Sequence, residues 1–261
     1  MLRSNLKIFW AGYWFFMLAL PLSGQATQAA ATLLAAVDAQ VVFDDTDVAA
    51  EYTIVKRDPG GASSTTVATL FRRDRTDQFL ILILQPAVDK GKGYLKLGDN
   101  LWLYDPVGKT FTFTSAKERF QNSSARNSDF NRSNFAADYR PVTSYPEQLG
   151  AFACTVLELE ALNDSVSFPR VKLWVSDDKL IRKMEDYSLS GQLMRTTAIP
   201  SYQRVGSRWL PASMVILDHL QSRRINNRIE YERTTITITK PSLAALPDSL
   251  FTKEYLERVN R

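Results

Sequence analysis

The sequence holds one cysteine and one histidine in 261 residues, and that scarcity removes most site chemistry at the outset. A lone Cys154 cannot form an internal disulfide. It lies in AFACTVLEL without a basic neighbour in sequence to lower its pKa, so it reads as a small buried hydrophobe rather than a reactive thiol. His219, in MVILDHLQS, follows Asp218, but no G-x-S-x-G or comparable nucleophile turn accompanies it. It reads as an edge-strand or surface histidine. A zinc site would need several carboxylates at ligand spacing, and none is visible. Asp44, Asp45 and Asp47 lack the twelfth-position glutamate of a calcium loop. Gly91 and Gly93, in DKGKGYLK, precede no helix and so form a turn rather than a phosphate cradle. Glu158 and Glu160 share a strand face and read as a solvated surface, with an acid pair as the other reading. The expectation is a protein without catalytic residues, metal or cofactor: not an enzyme.

Charge excess is also scarce. The 32 basic and 28 acidic residues leave +4, and such a balance gives no case for a nucleic-acid partner. No Pro/Gly/Ser-rich linker and no internal repeat divides the chain, which implies one domain over residues 27–261.

What is present begins at the N-terminus. Arg3 and Lys7 precede an uncharged apolar run from Ile8 to Leu20, which Pro21 ends; Ser23, Gly24 and Ala26 are small. This is the layout of a cleaved secretory signal peptide, residues 1–26, with Ala29 as a second cleavage site. The run is short for a membrane span, which needs roughly 20 apolar residues. No cysteine follows it to accept a lipid. The implied location is the periplasm.

Leu33, Leu34, Val37 and Val41 then make one apolar stripe, predicting a short amphipathic helix over about residues 29–43. Strand signals dominate from there. EYTIVKR and TTVATLFRR flank the turn-rich DPGGASS. Phe79 to Leu84 is a run apolar enough for a strand buried on both faces. GYLKLGDNLWLYDP reads as a hairpin turning at Gly98, Asp99 and Asn100. In KTFTFTSA, Phe111 and Phe113 share a face. Residues 116–146 fit no period; they are rich in Asn and Ser and spaced by Phe120, Phe130 and Phe135, as a functional loop would be. Strands resume from FACTVLELEAL through RIEYERTTITITK, with DDK and LSG as turns. Thr252 is a candidate cap for a final helix, with Phe251 stapled onto Leu256. The total is about ten or eleven strands with helical segments near both ends. The strand aromatics either fill a closed sandwich or line the concave face of a half-open barrel, and composition does not choose.

The stretch RTDQFLILILQPAVDKGKGYLKLGDNLWLYDP resembles the outer-membrane lipoprotein-sorting proteins, the LolA-like family. Arg75, Asp77, Pro86, Asp89, Gly93, Trp102, Tyr104 and Pro106 stand where that family has Arg-x-Asp, a Pro and an Asp, a Gly before a hydrophobic strand, and Trp-x-Tyr-x-Pro. Ser128, Asp129 and Phe130 match its loop, LWVSDDKLIRKMEDYSLSGQLMR its next hairpin, and LPDSLFTKEYL its C-terminal end. The resemblance covers most of residues 35–258. It implies an incomplete, half-open antiparallel β-barrel with covering helices and loop around a hydrophobic cavity, and a monomeric carrier of lipid or lipoprotein acyl chains. It also implies an inner-membrane ABC or RND-type transporter as partner; the alternative is a non-catalytic accessory or sensor subunit of such an export complex. Under that reading Trp102, Tyr104, Phe111, Phe113 and Trp174 from strands, and Phe120, Phe130 and Phe135 from the loop, are the candidate ligand-binding residues, the loop acting as a lid. The family's gating arginine has no motif here that places it.

Overall fold

The computed structural model describes residues 22–259. The basic start and apolar run of the expected signal peptide lie outside these residues. The chain forms helix α1 (Leu22–Val41), then strands β1 (Val48–Arg57), β2 (Ser63–Arg73), β3 (Gln78–Gln85), β4 (Gly93–Leu97), β5 (Asn100–Asp105) and β6 (Thr110–Phe113). A crossing segment with the short helix α2 (Phe135–Asp138) leads to β7 (Tyr139–Leu149), β8 (Phe152–Ala161), β9 (Arg170–Ser176), β10 (Ile181–Tyr187), β11 (Leu193–Val205), β12 (Arg208–Ile225) and β13 (Arg228–Ser242). Helix α3 (Lys253–Val259) follows.

The thirteen strands make one antiparallel sheet in the order β6-β5-β4-β3-β2-β1-β13-β12-β11-β10-β9-β8-β7. The topology is two meanders joined back to back. β1 to β6 run outward by hairpins, β7 to β13 return the same way, and the single long-range pairing is β1 with β13. β6 and β7 are free edges, so the sheet curls without closing: a mainly β, half-open barrel with flanking helices. The strand missed by periodicity is β7, YRPVTSYPEQL. Pro141 and Pro146 obscure it in sequence, and they are tolerated because an edge strand needs only one ladder. The expected loop of residues 116–146 therefore ends at Asp138.

Alternation decides what each face meets. On the inner face β1 presents Tyr52 and Ile54, β2 Leu70, and β3 Phe79, Ile81 and Ile83, all buried in one cluster. Helix α1 lays Ala30, Leu34 and Val37 over the other half of that face, against Leu157, Leu159, Leu173 and Val175. It starts before the expected boundary, at Leu22.

The outer face of β3 to β6 has its own cover. Leu80, Leu95 and Tyr104 are buried beneath Leu250, Phe251 and Leu256 of the C-terminal segment. Thr252 caps α3, accepting a hydrogen bond from the Tyr255 backbone N–H at 3.2 Å. The anchor of this segment is ionic. Arg73, itself buried, meets Asp47 at 3.0 Å and Asp248 at 2.5 Å, and Arg75 meets Asp47 at 2.7 Å. Burial pushes the Asp47 carboxyl up, but hydrogen bonds from Arg73, the Leu246 N–H and Arg75 outweigh it and hold the group below the usual carboxylate range.

Gly93 belongs to the same construction. A methyl group built on it would lie 2.3 Å from Leu256 Cδ2, so α3 packs directly on this backbone. Gly93→Ala is expected to destabilise the fold by about 1–3 kcal/mol through overpacking. A urea melt would show it as a lower midpoint, and an unchanged midpoint would mean α3 contributes little to the native state.

Candidate functional site

The segment between β6 and β7 crosses the inner face and seals part of it. Its rings form a row with those of the sheet. Tyr94 and Phe120 are 4.8 Å apart between centroids, Phe120 and Phe130 4.5 Å, and Phe130 and Tyr52 5.8 Å. Phe120 and Phe130 are fully buried.

A cavity of about 310 Å³ lies on the Tyr52 side of this row, walled by α1 (Val37, Val41), by Phe130 and Phe135, and by Ile181, Ile199, Tyr202, Met214 and Ile236 from the sheet. Burial pushes the Tyr52 hydroxyl up to about 12, so its ring is neutral there. A larger open cleft of about 1150 Å³ lies on the Tyr94 side. Its walls are polar, with Lys56, Ser64, Thr66, Asp89, Lys92, Gln121 and Asn122. An apolar ligand placed there would strip water from groups left without partners. The smaller cavity is therefore the site suited to a hydrocarbon chain.

One end of the apolar cavity is closed by charge. Four buried residues stand directly opposite one another across four strands: Asp186 on β10, Arg195 on β11, Asp218 on β12 and Glu232 on β13. The crossing segment docks on this belt with complementary groups. Arg195 makes a bidentate pair with Asp129, at 2.7 and 2.9 Å, and its Nε donates to Asp186 at 2.7 Å. Arg119 donates to Asp218 at 2.6 Å and also pairs with Glu232. Ser124 Oγ donates to Glu232 at 2.7 Å. Burial opposes the charge on Arg195, but Asp129 and Asp186 outweigh it and raise its pKa, so it stays cationic. A third fastening comes from α1: Asp38 accepts hydrogen bonds from Ser133 Oγ, Phe135 N and Ala136 N, and so holds α2.

The structure separates the sequence-derived candidates into two groups. Phe130 and Phe135 line the cavity, and Phe120 stacks behind Phe130. Trp102, Tyr104, Phe111 and Phe113 stand on the outer face. Tyr104 packs with Leu250, Phe251 and Leu256, and Lys253 lies over the Trp102 and Phe111 rings. Phe113 is exposed at the free edge and reaches the rim of the polar cleft. Trp174 is also outward, packed with Cys154 and Val156 and donating to Glu147 at 2.8 Å. Strand alternation turns these five away from the apolar cavity that they were expected to line: their inward neighbours are Leu101, Leu103, Leu173 and Val175.

The remaining chemistry is spent on structure. His219 Nε2 is 2.8 Å from Thr196 Oγ1 and its ring meets Tyr231, while the adjacent Asp218 is committed to Arg119. Glu158 and Glu160 face Lys172 and Arg140. Burial raises the Cys154 thiol. Among the described residues no grouping of His, Cys, Asp and Glu is able to hold a metal ion.

A family model described as an uncharacterized protein matches residues 75–258. No curated protein matches the sequence. Among solved structures, the chain is similar to a LolA superfamily protein from Nitrosomonas europaea, at 25% identity and a TM-score of 0.74 over 87% of this chain and 98% of that one. A Vibrio parahaemolyticus domain provisionally assigned to outer-membrane lipoprotein sorting aligns at 19% identity and a TM-score of 0.77, over 89% and 100%. A DUF1329 family protein from Desulfovibrio piger gives 19% and 0.77, over 88% and 99%. The fold is thus that of the LolA/DUF1329-like proteins.

Proposed function

Because the chain belongs to that family of uncharacterized proteins, matched over residues 75–258, we propose its function from its own geometry: it is a periplasmic carrier. It holds an acyl chain of a lipid or lipoprotein, on the route of outer-membrane lipoprotein sorting or lipid export. The observation that carries this reading is the apolar cavity between α1, the crossing segment and the inner face of the sheet. Its volume of about 310 Å³ corresponds to roughly ten atoms the size of a water molecule, at about 30 Å³ each. Each buried methylene contributes about 0.8 kcal/mol, so a partly inserted chain is held before any headgroup contact is made. A longer chain needs Phe130 and Phe135 to move, which gives the crossing segment the role of a lid. Release then calls for an energised partner, an inner-membrane ABC or RND-type transporter, or for an acceptor of higher affinity.

The proposal includes export, with residues 1–26 as a removed leader and residues 27–261 as one carrier domain. A cut after Ala26 falls within α1 and spares its buried positions Ala30, Leu34 and Val37.

The second reading is a non-catalytic accessory or sensor subunit of an export complex, and the filled half of the inner face favours it: Phe120 and Phe130 already occupy that space. One experiment separates the two. Native mass spectrometry of protein purified from periplasm is expected to show an acyl ligand, and the emptied protein is expected to take up a fluorescent fatty acid. Neither ligand nor uptake would leave the accessory reading.

A further inference from the structure

We propose that the far end of the β12–β13 hairpin is a docking surface for an anionic lipid bilayer. β1 accompanies β13 only as far as Arg57 opposite Arg233, and β11 accompanies β12 only as far as Arg195 opposite Asp218. Residues 219–232 therefore extend past both flanking strands as a two-stranded projection. Asn226 and Asn227, at φ 48° and 62°, form the tight turn at its end, the conformation that matches strand twist. The β1–β2 turn braces it, with Gly60 N donating to Glu230 Oε2 at 3.1 Å.

The projection is dense in unpartnered positive charge. Arg223, Arg224 and Arg228 lie on it, and Arg57 and Arg233 face each other at its base. All five are exposed and none has an ion pair among the described residues. Most nearby acids are already engaged: Asp58 with Lys56, Asp218 with Arg119, and Glu232 with Lys56, Arg119 and Ser124; Glu230, opposite Arg223, accepts from Gly60 N and leaves the projection positive. Exposed aliphatic side chains sit among these arginines, Leu220 at 45% and Ile229 at 53% relative accessibility.

Two features select lipid over an acidic protein segment. Every free cation is an arginine, whose planar fork matches a phosphate oxygen pair. Ile229 also stands exposed beside the tight turn, opposite Arg224, and an interface of headgroups and acyl carbons accepts both the guanidinium and the apolar side chain next to it. This surface begins where the charged belt ends, at Asp218 and Glu232, and does not depend on the carrier reading.

The test is flotation of the full chain with vesicles of phosphatidylcholine alone and of phosphatidylcholine mixed with phosphatidylglycerol. Binding is expected to the mixed vesicles and to fall with salt. The double variant Arg224→Gln/Arg228→Gln is expected to bind about 30-fold more weakly, from about fivefold per arginine at a charged bilayer surface. Ile229→Ser is expected to weaken binding at high salt as well as low. Lys90→Gln/Lys109→Gln removes the same charge elsewhere and is expected to change little. Any contribution of residues 1–26 is common to all these chains and cancels in the comparison. Equal binding to both vesicle types, or equal loss in the lysine and arginine variants, would overturn the proposal. So would capture of an acidic protein without vesicle binding.

Discussion

Met214→Trp is expected to remove most acyl binding while leaving the fold in place. Met214 lies on the inner face of β12, half-buried, and touches both of the large apolar clusters. It is therefore at the junction where the cavity meets the packed half of the sheet, and its side chain borders empty space. An indole there takes up room that a ligand would use, rather than room another side chain occupies. Each methylene kept out forfeits about 0.8 kcal/mol, so excluding three weakens binding about 50-fold. Titration with a fluorescent fatty acid measures this directly, and a thermal melt confirms that the variant is folded. Trp102→Ala supplies the contrast. Trp102 lies under Lys253 on the outer face, and its loss is expected to leave uptake unaltered. Wild-type affinity in Met214→Trp would show that acyl chains bind elsewhere or not at all.

That contrast shows how far sequence reasoning reached. Period-2 alternation places Phe111 and Phe113 on one face, and the apolar run of β3 has Phe79, Leu80, Ile81 and Ile83 all buried. Alternation states which residues share a face; it does not state which face is inner. Aromatic content does not decide it either, since the aromatic face of β5 and β6 is the one covered by the C-terminal segment. The cavity walls Ile199, Tyr202 and Met214 look like ordinary strand residues because they are. Part of the stretch on which the family resemblance rests serves the same outer construction, where Arg75 binds Asp47 and Gly93 lies under Leu256, while Asp77 binds Lys96, which shares the inner face with Phe79 and Leu101. Those positions hold the fold, which is why they identify it without marking the site.

The charged belt is not legible from the turn alone. With the hairpin turn set at the Leu189-Ser190-Gly191 stretch, Asp186 falls opposite Met194, and it is a bulge between Asp186 and Tyr187 that brings it opposite Arg195. The third partner is further out of reach. Asp129 is 66 residues from Arg195 in a segment without periodicity, and only the closing of the sheet brings them together.

Arg195→Ala is expected to be the most damaging single change in the molecule. The guanidinium stands between two carboxylates, Asp129 at 2.7 Å and Asp186 at 2.7 Å, with Asp186 almost wholly buried. Removing it leaves Asp186 ionised without its cation, or forces a proton onto it, and breaking such a pair from one side costs about 3–5 kcal/mol. In a domain of this size that corresponds to a fall in Tm of roughly 10 °C. Lysine at this position does not restore the bidentate geometry. The same change unclasps the crossing segment, since Asp129 holds it to the sheet. Hydrogen exchange in residues 116–138 is therefore expected to accelerate beyond what global destabilisation accounts for. Asp129→Asn separates the two effects. It keeps the Arg195–Asp186 pair and weakens only the clasp, so it is expected to accelerate exchange in that segment and entry of a fatty acid at a smaller loss of Tm. If the segment exchanged no faster in Asp129→Asn, it would be a fixed part of the core, and the carrier would have to admit its ligand by another route.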